Sequence, residues 1–226
     1  MRDADVRRVL REQLDRSYKG DSTTMIIEEL GLCRGTVRVD IAVVNGTLKG
    51  YEIKSAQDTL TRLSSQAAIY NQIFDTVTVV VAERHLRAAE AMIPVWWGIQ
   101  VVTVHKSSSS LMIEPARGES TNPEVDPSSL VQLLWRDEVL KLLDQTNRLR
   151  SLRSKPRRVL WDVLARSVSL PELQGMVRRC LKSRSTWRSD AQRKQGDGMY
   201  RPCAKLSDSL YQRVLPRSRQ CTHRPS

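Results

Sequence analysis

Apolar and polar positions alternate along residues 36 to 55 and predict a β-hairpin. Apolar side chains recur at every second position of the first strand, the period of a strand with one face in a core: Val37, Val39, Ile41 and Val43. Asn45-Gly46 is a strong turn signal, and "TLKGYEIKS" then predicts the return strand. The hairpin places charged residues among strand-forming apolar ones.

Helical and strand patterns alternate around this hairpin. Val6, Leu10 and Leu14 predict a helix over residues 3 to 17. Residues 24 to 37 are ambiguous, because Gly31 suits a helix C-cap but the segment is also able to hold a strand. The later segments read in order as helix, strand, helix, strand and edge strand: Leu60 to Phe74, "TVTVVVAE", "LRAAEAMI", "GIQVVTVH" and "LMIEPA". The order predicts an α/β fold with a mixed sheet and helices on its faces.

Three further helices are predicted after residue 126. Asp126 and Pro127 open the first, residues 128 to 146, and Ser169 with Glu172 open the third in capping-box spacing. A second lies in "KPRRVLWDVLARSV". We therefore predict an α/β domain over 1–118, a linker over 119–126, a basic helical region over 127–188 and a polar basic tail over 189–226, expected to be poorly ordered.

The net charge of +12 is confined to the C-terminal half. Residues 1 to 125 hold 15 Lys and Arg against 16 Asp and Glu, whereas residues 126 to 226 hold 22 against 9. Such an asymmetry indicates a polyanion-binding region next to a neutral domain. The densest cluster predicts contact with phosphates: Arg148, Arg150, Arg153, Lys155, Arg157 and Arg158. The alternative to phosphate binding is that the basic helices form a solvated lid on the α/β domain.

Targeting signals are not evident. The apolar runs are too short to span a membrane, and the charged start lacks the apolar segment of a secretory signal. We expect a cytoplasmic protein with no membrane partner.

The charges of the hairpin suggest a metal site. Two neighbouring carboxylates repel each other unless a cation lies between them, and oxygen ligands suit Mg²⁺ or Mn²⁺. Glu52 and Lys54 are two apart on one strand and face the same side, so Asp40, Glu52 and Lys54 fit a phosphodiester-hydrolysis site. A cross-strand salt bridge is the structural alternative.

These residues resemble a known signature. "VD" followed by "YEIK" is similar to that of the PD-(D/E)XK nuclease superfamily, with Asp40, Glu52 and Lys54 at its three positions. Gln66 and Tyr70 resemble the Q-x-x-x-Y element of its RecB-like members, and residues 20 to 105 resemble a small bacterial branch of them. Val39 replaces the usual proline.

The resemblance implies a restriction-endonuclease-like αβββαβ core and a Mg²⁺-dependent nuclease acting on nucleic acid, with DNA favoured. It implies catalytic roles for Asp40, Glu52, Lys54, Gln66 and Tyr70. It also implies metal ligation by Asp40, Glu52 and the Ile53 carbonyl, with Glu29 as a further ligand and Glu28 as its competitor.

The hypothesis makes a geometric demand on the hairpin. Asp40 and Glu52 share a face only if paired residue numbers have an even sum, which requires an odd-length loop such as residues 45–47, or a bulge, for instance at Gly50. Two alternatives remain open: a non-catalytic nucleic-acid-binding protein on the same fold, and an effector subunit of a phage-defence or mobile-element complex. A homodimer or a partner protein is also compatible with the sequence.

Overall fold

The computed structural model describes residues 1–105, 110–145 and 152–184. They form a six-stranded mixed sheet in chain order with helices on both faces. The strands are β1 Met25–Leu32, β2 Val37–Val44, β3 Leu48–Lys54, β4 Thr76–Ala82, β5 Gly98–Val104 and β6 Leu111–Arg117. The helices are α1 Asp3–Ser17, α2 Leu63–Tyr70, α3 Leu86–Met92, α4 Pro127–Leu130, α5 Arg136–Gln145, α6 Arg157–Ser167 and α7 Leu170–Ser183. The α/β prediction is confirmed.

Strand directions follow the connections. Strands β1 to β3 are antiparallel neighbours joined by short turns, and β3, β4 and β5 are parallel because α2 and α3 cross over between them. Strand β6 closes the far edge in antiparallel pairing. The ambiguous segment before residue 37 therefore holds β1, and Glu28 and Glu29 lie within a strand and not at a helix end.

Two hydrophobic cores lie on the two faces of the sheet. Helix α1 covers the smaller one with Val6, Leu10 and Leu14, the residues that its periodicity places on one side. The larger core lies between the other face and the remaining helices, and it includes Leu130, Trp161, Leu173 and Val177 of the C-terminal helices. Burial on both faces explains the continuous β-branched sequence of β4.

The C-terminal helices are attached to the sheet through Asp75. This buried carboxylate precedes β4 and accepts hydrogen bonds from the Leu48 N–H at 2.7 Å and from Gln174 Nε2 at 2.6 Å, and Arg178 lies 3.3 Å away. One side chain thus joins the start of β3 to α7. The domain boundaries stay a prediction, and the tail predicted over 189–226 lies in residues 185–226, outside the described part of the chain.

The helix expected over residues 128 to 146 is interrupted, and this prediction is wrong. Asp126 caps α4 as predicted, but the chain becomes extended at Leu134 before α5 begins. Leu130, Val131, Leu133 and Leu134 are all buried, and at the break the Leu134 carbonyl accepts a hydrogen bond from Trp161 Nε1 at 3.1 Å. The capping box of Ser169 and Glu172 at α7 is confirmed. No helix in the described ranges is long and apolar enough to cross a bilayer.

Candidate functional site

The hairpin meets the geometric demand of the sequence. Ile41 pairs with Tyr51 and Val44 with Leu48, so the paired numbers have an even sum and the loop contains the three residues 45–47. Asp40 and Glu52, which lie just beyond the last backbone pair, both line one cleft of about 590 Å³. No bulge at Gly50 is required.

The irregularity of the sheet lies instead at Glu29 and Asp40. Val39 packs in the larger core and Ile41 in the smaller one, although residues two apart on a regular strand face the same side. On β1, Ile27 and Leu30 are three apart yet both enter the larger core. Both strands therefore switch faces at the same place.

Glu29 adopts a backbone conformation that is unusual for a residue other than glycine. Its φ is 52°, in the left-handed region that costs such residues on the order of 1–3 kcal/mol. As a result, Glu28 and Glu29 both reach α1, where Arg11 lies 3.1 Å from Glu28 and Arg7 lies 3.0 Å from Glu29. The backbone strain places Glu29 beside Asp40.

Arg7 is the cation beside Asp40, and the sequence patterns did not single it out. Its Nη2 donates to Asp40 Oδ1 at 2.6 Å, and its Nη1 donates to the Asp40 carbonyl at 3.0 Å. The same guanidinium also pairs with Glu29 and Asp3. A signal for it was present, because Arg7 directly follows the buried Val6 on α1 and so lies at the border of the buried stripe.

The second carboxylate oxygen of Asp40 makes a hydrogen bond from β2 to the backbone of β3. Asp40 Oδ2 accepts a hydrogen bond from the Ile53 N–H at 2.7 Å. The backbone pairing of β2 with β3 ends at Ile41 and Tyr51, so the carboxylate replaces a backbone partner beyond that point. This hydrogen bond fixes where the two strands separate.

Burial raises the pKa of the Asp40 carboxyl to about 6, and the negative charge of Glu52 adds to that shift. The hydrogen bond from Ile53 and the charge of Arg7 act in the opposite direction. Asp40 therefore changes its charge at a higher pH than an exposed aspartate.

Glu52 is 2% exposed and is surrounded by donors from its own chain. Its Oε1 accepts from Lys54 Nζ and from Gln66 Nε2, each at 2.6 Å, and its Oε2 accepts from the Tyr70 hydroxyl at 2.6 Å. Lys54 Nζ also donates to Gln66 Oε1 at 3.0 Å. Burial and the charge of Glu52 raise the pKa of Tyr70, so its hydroxyl remains a donor.

The structure therefore brings together all five residues predicted to be catalytic: Asp40, Glu52, Lys54, Gln66 and Tyr70. Glu29 joins them, whereas Glu28 pairs with Arg11. Of the predicted phosphate-binding residues, Arg153, Lys155, Arg157 and Arg158 are exposed on and before α6, and Arg148 and Arg150 lie outside the described residues.

The carboxylates of Asp40 and Glu52 find their hydrogen-bond donors within the chain. Both oxygens of Asp40 and both oxygens of Glu52 accept from the chain, and each carboxylate has its own cation. Within the described ranges, no group of three or more His, Cys, Asp or Glu side chains is placed to hold a metal ion. In this arrangement the residues do not fit Mg²⁺ or Mn²⁺, because the guanidinium of Arg7 pairs with both Glu29 and Asp40. Binding of a metal ion by these carboxylates is therefore a prediction that nothing in this arrangement supports.

Comparisons with known proteins point to a phage family. A model of the family described as bacteriophage P4 protein cII matches residues 2–201. Protein cII of Enterobacteria phage P4 is 28% identical over 163 residues, which make up 72% of this chain and 60% of that protein. The chain thus spans about 60% of the length of this curated relative. No solved structure matches.

These matches overturn the identification as a PD-(D/E)XK nuclease of the RecB-like kind, because the family model that covers residues 2–201 is that of a different protein family. The predicted activity, that of a Mg²⁺-dependent nuclease or phosphodiester hydrolase, is therefore also wrong. The physical source of the error is that a carboxylate followed by Glu-x-Lys also describes buried ion pairs. Here Lys54 neutralises Glu52, and Arg7 neutralises Asp40.

Proposed function

This chain belongs to the family of bacteriophage P4 protein cII, and we propose that it is a non-catalytic nucleic-acid-binding protein with DNA as its ligand. The observation that carries the proposal is the charge distribution. Residues 126 to 226 have an excess of 13 positive charges over negative ones, whereas the preceding residues are nearly neutral. Lysine and arginine at this density attract phosphate backbones and release the counterions condensed on them.

The described part of the basic region presents its charges around the start of α6. Arg153, Lys155 and Arg158 are exposed, and the first turn of α6 contains no carboxylate. Pro156 at the N-cap provides no side-chain acceptor, so the positive end of the helix dipole adds to the side-chain charges. Basic residues at a helix start are unfavourable by themselves and become favourable when an anion binds there.

The fold is part of the proposal. The order α1, β1, β2, β3, α2 and β4 is αβββαβ, and we propose that it is a restriction-endonuclease-like core that serves as a scaffold. The cluster of Asp40 and Glu52 would then act in folding, because its donors come from α1, β3 and α2 and tie these elements together.

Binding of the full chain to a labelled DNA duplex, followed by fluorescence anisotropy at increasing KCl, tests the proposal. We expect affinity to fall steeply with salt. The triple variant Arg153→Ala/Lys155→Ala/Arg158→Ala should weaken binding at least about tenfold and reduce the salt slope by roughly one for each phosphate that is no longer neutralised. The matched control, Arg8→Ala/Arg16→Ala/Lys19→Ala, removes three exposed charges at α1 and the turn after it and should retain most of the affinity.

A second arm separates binding from cleavage. The duplex should remain intact in Mg²⁺, and its affinity should be the same in EDTA. Cleavage that requires Mg²⁺, or a wild-type chain that does not bind nucleic acid, would contradict the proposal.

A further inference from the structure

Trp135 exposes an aromatic ring in the basic region. Trp135 directly precedes α5 and is 53% exposed, which is high for a tryptophan. The Arg184 guanidinium lies 4.1 Å from the centroid of its ring. The indole is thus held from one side by a cation while much of its surface faces solvent.

The contacts beneath Trp135 hold it in one orientation. Arg184 is buried, and it donates to both oxygens of Glu138 at 2.7 Å and to the Leu133 carbonyl at 2.7 Å. Glu138 Oε2 also accepts from the backbone N–H of Trp135 at 2.7 Å. A ring fixed in this way loses little conformational entropy when it binds a planar ligand.

The ring shares its surface with exposed cations. Arg136, the next residue, donates to the carbonyls of Lys155 at 2.6 Å and Arg153 at 2.5 Å. Trp161 Nε1 of α6 donates to the Leu134 carbonyl at 3.1 Å, so α6 packs against the residue that precedes Trp135. The chain next to Trp135 therefore contacts the backbone of the segment whose cations carry the proposed function.

We propose that Trp135 stacks against an unpaired base of a single-stranded nucleic acid whose phosphates contact Arg153, Lys155 and Arg158. The inference rests on the proposed function and names its ligand more closely. Exposed aromatic rings next to a basic surface bind single strands because every base has a π-face, whereas the faces of bases in a duplex are already stacked. A hydrophobic protein segment fits this position less well, because Trp135 makes its polar and cation–π contacts with two charged residues, Glu138 and Arg184.

The test compares labelled oligothymidylate, oligouridylate and a DNA duplex of equal length, with the full chain at one KCl concentration. Trp135→Ala should weaken oligothymidylate binding about tenfold and change duplex affinity by less than about twofold. Val95→Ala, which shortens an apolar residue 85% exposed elsewhere, is the matched control and should have no effect. Comparable losses of affinity for oligothymidylate and oligouridylate support base stacking that ignores the sugar, and a loss confined to oligothymidylate supports a DNA site. A loss confined to oligouridylate would contradict DNA as the ligand.

Trp135→Phe provides a readout that does not depend on how the alanine variant folds. Phenylalanine keeps an aromatic face, so affinity should be largely retained. The quenching of tryptophan fluorescence by unlabelled oligothymidylate in the wild type should be mostly lost in this variant.

The failures of the two proposals are distinguishable. A wild-type chain that binds neither single strands nor duplex overturns the proposed function. A chain that binds in a salt-dependent manner, but whose affinity is unchanged in Trp135→Ala or falls equally for single strand and duplex, overturns the stacking role alone.

Discussion

Arg7 Nη2 lies 2.6 Å from Asp40 Oδ1, and this ion pair joins the first helix to the strand that carries the conspicuous carboxylate of the hairpin. The same guanidinium pairs with Glu29 at 3.0 Å and with Asp3 at 3.2 Å. The first prediction follows from the loss of that cation.

Arg7→Ala should lower the free energy of unfolding by about 3 kcal/mol, because it leaves the partly buried Asp40 and Glu29 without their cation. Urea unfolding monitored by circular dichroism measures the change. Arg8→Ala removes a neighbouring arginine whose ion pair with Glu12 is exposed, and it should change stability by no more than about 0.5 kcal/mol. Equal effects of the two substitutions would show that Arg7 has no special role.

Stability should depend on pH through Asp40. Its pKa of about 6 lies above that of an aspartate in the unfolded chain, so the folded protein binds this proton more tightly, and its contribution to stability is lost as the pH rises from about 4 through about 6. Asp40→Asn cannot ionise. The difference in free energy of unfolding between this variant and the wild type should therefore grow in the variant's favour by about 2 kcal/mol between about pH 4 and about pH 7.

Burial and the charge of Glu52 raise the pKa of Asp40, whereas the Ile53 N–H and the charge of Arg7 lower it, and together they set the size of that change. The control is Asp162→Asn, which alters an exposed aspartate on α6. Its unfolding is measured across the same pH range. A difference between Asp40→Asn and the wild type that stays constant with pH would contradict the prediction.

Tyr70→Phe should destabilise the fold by about 2 kcal/mol, because Glu52 Oε2 then loses the hydroxyl that donates to it in a buried place. The ring is otherwise retained, and its stacking on Trp97 at 6.0 Å should survive. Thermal and urea unfolding measure the destabilisation. Tyr18→Phe, at the C-cap of α1, removes a hydroxyl that is not among the donors to Glu52 and should have little effect; a destabilisation as large as that of Tyr70→Phe would count against the assignment.

Gly50→Ala should cost about 2 kcal/mol, because a Cβ at this position of β3 would lie 3.0 Å from the ring of the buried Phe74. Gly46→Ala in the hairpin loop places its Cβ in open space and should be neutral or slightly stabilising. Urea unfolding of the two variants measures this difference, and the midpoint of Gly50→Ala should lie below that of Gly46→Ala. Similar midpoints would mean that Phe74 moves aside at little cost.

Much of the fold could be predicted from local patterns. Val6, Leu10 and Leu14 defined the buried side of α1, and Asn45-Gly46 marked the turn between β2 and β3. The requirement that Asp40 and Glu52 share a cleft also specified the odd loop that the structure contains. These features depend on residues close in sequence, where periodicity and turn chemistry act directly.

The errors arose where a neighbour distant in sequence decides the outcome. Residues 24 to 37 could not be assigned, since the strand β1 is completed only by pairing with β2 and contains a left-handed Glu29. At the break before α5, the Leu134 carbonyl accepts from Trp161, 27 residues away. The nuclease interpretation failed for a similar reason, because a pattern of carboxylates does not reveal which cation neutralises them.

The sequence by itself determined most of the secondary-structure order, the buried face of α1 and the concentration of positive charge after residue 126, because these follow from local periodicity and composition. Only the tertiary structure decided that Arg7 neutralises Asp40, that Lys54 neutralises Glu52, and that Trp135 lies exposed with Arg184 against its ring. The physical reason is that electrostatic and stacking partners are selected by distance in space, which the folded chain sets between residues far apart in sequence.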